Sequence, residues 1–311
     1  MGKEMRDVYQ ETLAEFMEKD GRVVMMDADL VGASGSLMNF KKFPTQTINA
    51  GISEANMMSS AAGMSLTGIK PFVHTFVPFA TRRTYDQLYM SGMYSKNSLH
   101  IYGSEPGIWA QFNGGTHTSF EDLALMRFLP GVIITAPCDQ HQFRFILHEY
   151  YNNPKMYYTR ATRKFQEDIY DENTQFKLGQ WHIIREGKDG VIFTMGEMVH
   201  ETLAATELLK EKGYELTVVD AFSIAPYDSE MIHKMAMKFK NIMVVENHNH
   251  IGGLGDIIAH EITTTDSSNK IYHQSIKGKT GEVGDYNYLR NRFGLDPDSI
   301  ANAWLENCLN T

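Results

Sequence analysis

Cysteine is scarce in this chain of 311 residues, which has two, Cys138 and Cys308. They lie far apart and form no Cys-x-x-Cys spacing, so neither a disulfide framework nor a cysteine-bound zinc ion is indicated. We expect both to be reduced thiols in a cytoplasmic protein.

Long hydrophobic runs are missing as well. Hydrophobic residues make up 42% of the chain and charged residues 22%, and no apolar stretch approaches the length of about 20 residues that a transmembrane helix needs. Residues 1–16 predict an amphipathic helix and not a signal peptide. The sequence therefore predicts a soluble globular protein without a membrane partner.

Positive charge is in deficit, because 29 Lys and Arg residues stand against 38 Asp and Glu residues and give a net charge of −9. The basic residues are scattered and form no long block. A nucleic-acid partner is therefore not expected.

Short apolar runs alternate with helical patterns along the chain, which is typical of parallel sheets whose strands are buried on both faces. We predict an α/β fold with a doubly wound, mostly parallel sheet over residues 1–165, a polar linker over 166–187 and a smaller α/β domain over 188–311. Asp296 followed by Pro297 predicts the start of the last helix. The predicted strands are residues 22–29, 46–51, 71–76, 99–103, 132–137, 156–160, 190–196, 216–222, 241–247 and 271–276.

Residues 49–68 place one carboxylate, Glu54, at the start of a helix of otherwise small and apolar residues. No basic residue lies close to it in the sequence. A carboxylate in apolar surroundings suits a group that shares a proton with a ligand. The alternative is an exposed glutamate that the helix dipole stabilises.

Two aromatic residues, Phe76 and Phe79, follow a predicted strand and precede the run Arg82 to Gln87, which enters a helix. Two such rings can hold a flat heterocycle between them. Burial in an ordinary core is the alternative.

Residues 113–117, Asn-Gly-Gly-Thr-His, lie in a loop between two predicted strands. The glycines let the backbone approach a ligand closely, and His117 at the carboxyl end of a strand suits proton transfer or binding of a hydroxyl group. A solvated turn is the alternative. Arg160, at the end of a strand, can form two bonds to an anionic group, and Arg163 beside it could substitute.

Residues 246–256, Glu-Asn-His-Asn-His-Ile-Gly-Gly-Leu-Gly-Asp, contain a His-x-His pair and a glycine-rich turn ahead of a helix. A metal ion is not favoured because no third ligand lies nearby in the sequence. A dinucleotide is not favoured either, because the glycines do not follow the first strand of a domain.

The order of Glu54 at a helix start, a helix, a strand and the pair Phe76 and Phe79 resembles the pyrimidine-binding domain of the thiamine diphosphate enzymes of the transketolase family. The loop that ends at His117, the helix after it and the strand that leads to Asp139 resemble the Thr-His loop, helix and Pro-x-Asp strand of the same family.

The second half carries the resemblance further. Residues 218–228 and the Glu-x-His and Gly-Gly-x-Gly pattern within 246–256 are similar to the family's C-terminal domain. The resemblance therefore implies a pyrimidine-binding domain followed by a transketolase C-terminal domain, with motifs in the same order over nearly the whole chain.

The resemblance also implies roles for single residues. Glu54 would hydrogen-bond ring nitrogen N1′ of the cofactor's pyrimidine and so promote loss of the C2 proton of the thiazolium ring, and His117 would assist proton movements on a substrate hydroxyl. These two are the implied catalytic residues. The residues carried over are Glu54, Phe76, Phe79, Ile52, Asp29 and Arg83 for the cofactor, and His117, Asn113, Arg160 and Ser34 for the sugar substrate.

Full-length transketolases begin with a domain that binds the diphosphate and Mg²⁺ through a Gly-Asp-Gly motif, and this chain contains no such motif. The resemblance therefore implies the C-terminal subunit of a split transketolase. Such a subunit would transfer a two-carbon ketol unit from a ketose to an aldose only together with an N-terminal diphosphate-binding subunit, which holds most of the Mg²⁺ contacts. Self-association of both subunits would give a heterotetramer.

Two departures from the family concern the substrate. Asn113 stands where many transketolases have a carboxylate, and Glu105 falls near the family's upstream substrate histidine. Because a carboxylate there would repel phosphate, we expect a ketose with a different terminal anion. The β subunit of a 2-oxo-acid dehydrogenase, a deoxyxylulose-phosphate-synthase-like enzyme and a non-catalytic scaffold remain as alternatives.

Overall fold

The computed structural model describes residues 2–265 and 268–309. The chain divides into two compact units. The first consists of Met1–Pro106 and Leu125–Phe176, and the second consists of Gly107–Ala124 and Lys177–Thr311.

The first unit is built on a parallel sheet whose strands are rich in buried apolar residues, as a sheet covered on both faces requires. Its strands lie side by side in the order β5-β6-β4-β3-β1-β2, and each neighbouring pair is parallel. These strands are β1 (Val23–Asp27), β2 (Thr47–Asn49), β3 (Lys70–Phe76), β4 (Leu99–Ser104), β5 (Ile133–Thr135) and β6 (Met156–Ala161).

Helices connect these strands. Asp139 caps the helix Gln140–Asn152. Its side chain accepts hydrogen bonds from the backbone N–H groups of His141 and Gln142, both at 3.0 Å. The helices are α1 (Met5–Lys19), α2 (Leu37–Lys42), α3 (Glu54–Ser65), α4 (Val77–Ala80), α5 (Tyr85–Gln87), α6 (Asp122–Arg127) and α7 (Gln140–Asn152), with a 3₁₀ turn at Arg82–Thr84 and a π-helical segment at Leu88–Tyr94.

The second unit has a smaller sheet in the order β12-β11-β8-β9-β7, in which β7 is antiparallel to β9 and the other pairs are parallel. Its core is built around the fully buried Trp304. The elements are a 3₁₀ segment (Gly107–Asn113), β7 (His182–Arg185), β8 (Gly190–Thr194), α8 (Met198–Glu211), β9 (Leu216–Asp220), β10 (Ser223–Ala225), α9 (Ser229–Lys238), β11 (Asn241–Asn249), α10 (Leu254–Ile262), β12 (Lys270–Ile276), α11 (Tyr286–Arg292) and α12 (Pro297–Leu309).

The predicted fold class is confirmed, since both units are α/β with mostly parallel sheets. Asp296 caps the last helix as predicted, accepting from the backbone N–H of Ser299 at 3.1 Å. Strand β7 lies inside the segment 166–187 that the sequence predicts as a linker. Among the described residues, no helix is long and apolar enough to span a membrane.

Cys138 is a buried thiol, and the side chain of Cys308 lies outside the described part of the chain.

Candidate functional site

The loops after β1 and β2 are fixed to each other at the carboxyl end of the first sheet. The side-chain oxygen of Asn49 accepts hydrogen bonds from the backbone N–H of Asp29 at 3.1 Å and of Gly51 at 3.0 Å. Strands β2 and β3 flank β1 on opposite sides, so the chain reverses direction across the sheet here, which is where open α/β sheets bind ligands. Asp29 itself is exposed and has a positive φ of 60°.

Glu54 is the first residue of α3, and only 4% of it is exposed. Its Oε1 accepts a hydrogen bond from Nη1 of Arg83 at 2.8 Å. The sequence offers no nearby base, so this partner, 29 residues further along the chain, is a finding of the structure. Oε2 of Glu54 has no hydrogen-bond partner within residues 2–265 and 268–309, and this carboxylate oxygen can therefore accept a bond from a ligand.

The predicted aromatic pair lies beside this ion pair. The ring centroids of Phe76 and Phe79 are 6.3 Å apart, and the guanidinium carbon of Arg83 lies 3.9 Å from the centroid of Phe79. The structure thus brings Glu54, Arg83, Phe79 and Phe76 together by contact. Ile52 lies two residues before Glu54 and is 78% exposed, so it can contact a ligand without rearrangement.

A second arginine stacks on Phe76. The guanidinium carbon of Arg163 lies 5.0 Å from the ring centroid of Phe76, and Nε of Arg163 donates to Oε1 of Glu105 at 2.6 Å. Glu105 is buried and has a positive φ of 59°. The guanidinium of Arg163 compensates the charge of this buried carboxylate. The terminal nitrogens of Arg163 have no partner in the described part of the chain.

Two predicted substrate residues lie deeper than expected. Arg160, in β6, is only 1% exposed, so it is Arg163 that reaches the surface of this unit. Ser34 is fully buried, and its hydroxyl oxygen lies 2.7 Å from that of Ser36. The sequence alone does not show which polar residues of the loop after β1 face outward. Because Ser34 is buried, its hydroxyl bonds to groups inside the protein.

A buried chain of polar residues crosses three strands and was not predicted from the sequence. Nδ1 of His74 lies 3.1 Å from Oδ2 of Asp27, and Nε2 of His74 lies 3.0 Å from the hydroxyl of Ser104. All three side chains are fully buried, and Oδ1 of Asp27 also accepts from the backbone N–H of Leu30 at 2.6 Å. The signal that could have revealed this chain is a polar residue at the centre or end of each of three apolar strands.

His117 and Asn113 belong to the second unit. The backbone N–H of His117 bonds to the carbonyl of Gly114 at 3.0 Å, and Nδ1 of His117 lies 2.8 Å from the hydroxyl of Thr116. Asn113 is exposed, and its amide donates to the carbonyl of Ala110 at 2.9 Å. The hydroxyl of Thr116 orients the imidazole of His117 through Nδ1.

In the glycine-rich turn at 246–256, the anionic group is the carboxylate of Glu246 from the same segment. The carboxylate of Glu246 accepts from the backbone N–H of Leu254 at 2.8 Å and of Gly255 at 3.0 Å, and thus binds the amino end of α10. A Cβ at Gly253 would lie 2.1 Å from this carboxylate, which explains the glycine there. A phosphate group cannot use this helix end because Glu246 already occupies it.

We expect Glu246 to make stability depend on pH. Burial acts to raise the pKa of Glu246, but the hydrogen bond from His273 and the charges of His248 and His273 outweigh burial and lower the pKa. A lowered folded-state pKa contributes stability above the unfolded pKa, about 4.3, and this contribution is lost as the pH falls further. Glu246→Gln should therefore lower the free energy of unfolding at pH 7 by about 1–2 kcal/mol and flatten its fall in acid.

Urea unfolding of the free chain at pH 7 and at several pH values below about 4 measures this effect. Glu230→Gln, a change on the exposed face of α9, serves as the matched control. An unchanged acid dependence in Glu246→Gln would contradict the assignment.

Comparison with known proteins agrees with this architecture. Residues 2–165 match the family model described as "Transketolase, pyrimidine binding domain", and residues 179–300 match "Transketolase, C-terminal domain". The 6-deoxy-6-sulfo-D-fructose transketolase subunit SqwH of Clostridium sp. (strain MSTE9) is 37% identical over 299 residues, which cover 96% of this chain and 92% of the relative.

Two further proteins are similar over almost the full chain. One of the subunits of the apulose-4-phosphate transketolase of Phocaeicola vulgatus is 31% identical over 97% of this chain and 96% of its own. A solved structure described as "Split gene transketolase, inactive beta4 tetramer" superposes with a TM-score of 0.88 at 29% identity and covers 96% of both chains.

The two α/β units, with the matches to the two family models, define a protein of the thiamine diphosphate-dependent class. The chain belongs to the transketolase family, and it aligns along almost its whole length with the separate subunits of split transketolases. It is accordingly a transferase of the transketolase type, in the form of one subunit.

Proposed function

We propose that this chain supplies the pyrimidine-binding half of a thiamine diphosphate site and transfers a two-carbon ketol unit from a ketose to an aldose. The observation that carries the proposal is the carboxylate of Glu54, which is buried beside Phe76 and Phe79 and keeps one oxygen without a partner in the described chain. A flat heterocycle with a ring nitrogen fits such a site, because the rings give it apolar surface and the carboxylate gives it one strong acceptor.

Thiamine diphosphate supplies a nucleophilic carbon at C2 of its thiazolium ring. In this chain, Glu54 would share a proton with the pyrimidine ring nitrogen of the bound cofactor, and Phe76 and Phe79 would exclude water from that contact. Arg83 forms its ion pair with Glu54 from a half-exposed position, whereas Glu54 is buried, so a ligand that displaces the arginine must itself bond to the carboxylate. His117 moves a proton at the substrate hydroxyl.

Asp29 and Ile52 complete the proposed cofactor side from the two loops that Asn49 fixes, and Asn113 contacts the donor sugar through an amide. Ser34 and Arg160 lie beneath this surface, since both side chains are buried in the first unit. These roles rest on the match of each residue to the family's motifs.

We propose that the donor ketose ends in a singly charged anion, such as a sulfonate. Arg163 offers terminal nitrogens to an anion, while Glu105 at 2.6 Å cancels most of the arginine's positive charge. A phosphate monoester is close to doubly charged at neutral pH, so it suits this nearly neutral pair less well than a sulfonate does. Of the two split relatives above, one is named for a sulfo sugar and the other for a phosphate sugar.

We further propose a partner subunit that binds the diphosphate and Mg²⁺, because the relatives that align with almost the whole chain are themselves subunits of split transketolases. Self-association of this chain is supported by the related solved structure, which is described as a beta4 tetramer, and we propose that together with the partner subunit it forms a heterotetramer. We place the complex in the cytoplasm, where the thiol of Cys138 would stay reduced.

The test is ketol transfer by this chain mixed with a candidate N-terminal subunit, thiamine diphosphate and Mg²⁺, with each chain alone as control. The donors are sulfonated, phosphorylated and neutral ketoses, and pyruvate is added as a separate substrate. We expect transfer in the mixture alone, without release of carbon dioxide, and the fastest turnover with the sulfonated ketose.

Two results would oppose this proposal. Release of carbon dioxide from pyruvate without ketol transfer would assign the chain to the 2-oxo-acid dehydrogenase or deoxyxylulose-phosphate-synthase type. A complex that binds the cofactor and turns over none of the substrates would support the non-catalytic scaffold.

A further inference from the structure

The segment Gly107–Ala124 carries Asn113 and His117, and its contacts assign it to the second unit. The family model for the pyrimidine-binding domain nevertheless runs through it, from residue 2 to residue 165. A loop of one sequence domain that packs on the fold of another needs attachments there, and two sets of contacts provide them.

The first attachment holds the beginning of the loop. The backbone N–H of Ile108 donates to Oδ1 of Asn247 at 3.0 Å, and Nδ2 of Asn247 donates to Oε1 of Glu197 at 2.6 Å. All three residues are buried. A Cβ at Gly107 would lie 2.0 Å from Oδ1 of Asn247, and Gly107 has a positive φ of 53°, so the approach requires glycine.

The second attachment holds the loop at Trp109, the residue after Ile108. The ring of Trp109 stacks on that of Tyr286 with centroids 4.1 Å apart, and the hydroxyl of Tyr286 donates to Oε1 of Glu201 at 3.1 Å. Nη1 of Arg290 donates to both oxygens of Glu201 at 2.7 Å. Burial and the charges of Glu201 and Glu197 raise the pKa of Tyr286 well above its usual value, so its hydroxyl remains a donor.

Glu197 and Glu201 are four residues apart at the start of α8, so they lie on the same face one turn apart. Between these attachments and His117 the backbone is strained, because Gln111 has φ 48° and ψ −122°. Such a conformation costs about 1–3 kcal/mol and persists only where the surroundings impose it. The attachments to α8 therefore fix the path of the chain that leads to His117.

We propose that Glu197 and Glu201, acting through Asn247 and Tyr286, are positioning residues for His117. The second unit thereby has a part in the reaction besides its own folding. The inference rests on the role of His117 in the proposed function, and it concerns residues that do not contact the reacting atoms.

The test combines a measurement on the free chain with kinetics on the assembled enzyme. Asn247→Ala removes the acceptor for Ile108, and Tyr286→Phe removes one hydroxyl while it keeps the stack on Trp109. Glu207→Gln is the control, because Glu207 lies further along α8, where it is exposed and pairs with Arg185. Thermal unfolding of each free chain shows whether it is folded.

We expect the amide of Ile108 to exchange about tenfold faster with deuterium in Asn247→Ala, as loss of one buried hydrogen bond implies. In the assembled enzyme, kcat should fall about tenfold to 100-fold in Asn247→Ala and Tyr286→Phe. The KM for the ketose and the affinity for thiamine diphosphate should stay unchanged in both. A purely structural effect would lower the amount of folded complex and leave kcat per cofactor-binding site unchanged.

The failures of the two proposals can be told apart. If His117→Ala lowers kcat while Asn247→Ala and Tyr286→Phe retain it, the positioning role is overturned and the proposed function stands. Unchanged exchange at Ile108 in Asn247→Ala would overturn the attachment itself. If His117→Ala retains full kcat, the role of His117 falls, and the positioning role falls with it.

Discussion

Glu54→Gln should lower ketol transfer by the assembled enzyme by about 10²–10⁴-fold, the range typical for loss of a positioned acid–base group. The amide has the size of the carboxylate but cannot share a proton with a ring nitrogen as a carboxylate does. Because Arg83 is half-exposed, Glu54→Gln leaves no buried unpaired charge, and the neutral amide should leave the fold intact. Turnover with saturating cofactor and ketose measures the effect.

The control for this change is Glu18→Gln, which alters an exposed glutamate on α1 that pairs with Lys42. Isothermal titration with thiamine diphosphate shows whether the Glu54 variant still binds the cofactor. Turnover within a few-fold of wild type in Glu54→Gln, with the cofactor bound, would refute the assignment of Glu54.

Arg163→Met should lower kcat/KM by about tenfold to 100-fold for ketoses with a terminal anion, because hydrogen bonds to charged groups contribute about 1.5–3 kcal/mol. Met preserves the apolar contact with Phe76 while it removes the cation. Turnover of a neutral ketose should change little. Arg144→Met is the matched control, because Arg144, on α7, pairs with Glu15 on α1 and takes no part in the candidate site.

Removal of Arg163 alone leaves the carboxylate of Glu105 buried without a cation, which costs about 3–5 kcal/mol and could prevent folding. The double variant Glu105→Gln with Arg163→Met avoids this cost and gives the same test. Glu105→Gln alone should increase kcat/KM for phosphorylated relative to sulfonated ketoses by about tenfold, since a nearby unit charge contributes at least about 1 kcal/mol. Equal losses for anionic and neutral ketoses in the double variant would show that Arg163 does not bind the anion.

Of the strands in the described part of the chain, all but β7 and β10 were predicted, with ends within two residues, because runs of Val and Ile in buried parallel strands have few alternatives. β7 escaped prediction because it is short, only half-buried and pairs antiparallel with β9. Short polar edge strands resemble loops in composition, so the sequence alone favours a linker there.

The candidate site was predictable where neighbours in sequence are neighbours in space, as for Phe76 and Phe79. The pairing of Glu54 with Arg83 depends on the tertiary arrangement of two helical segments, and no local pattern reveals it. Burial of Arg160 also follows from tertiary packing, since its place at the end of a strand is equally compatible with exposure. The attachment of the His117 segment to α8 has the same origin, because Ile108 and Asn247 are 139 residues apart.

The measurement that tests the central claim most directly is exchange of the C2 proton of thiamine diphosphate with solvent deuterium in the assembled complex. The reaction is stopped with acid and read by proton NMR, so it needs no knowledge of the sugar substrate. We predict exchange that is about 10²–10⁴-fold slower with Glu54→Gln than with wild type or Glu18→Gln. Equal exchange rates for Glu54→Gln and wild type, with the cofactor bound in both, would contradict the claim that Glu54 of this chain activates the cofactor.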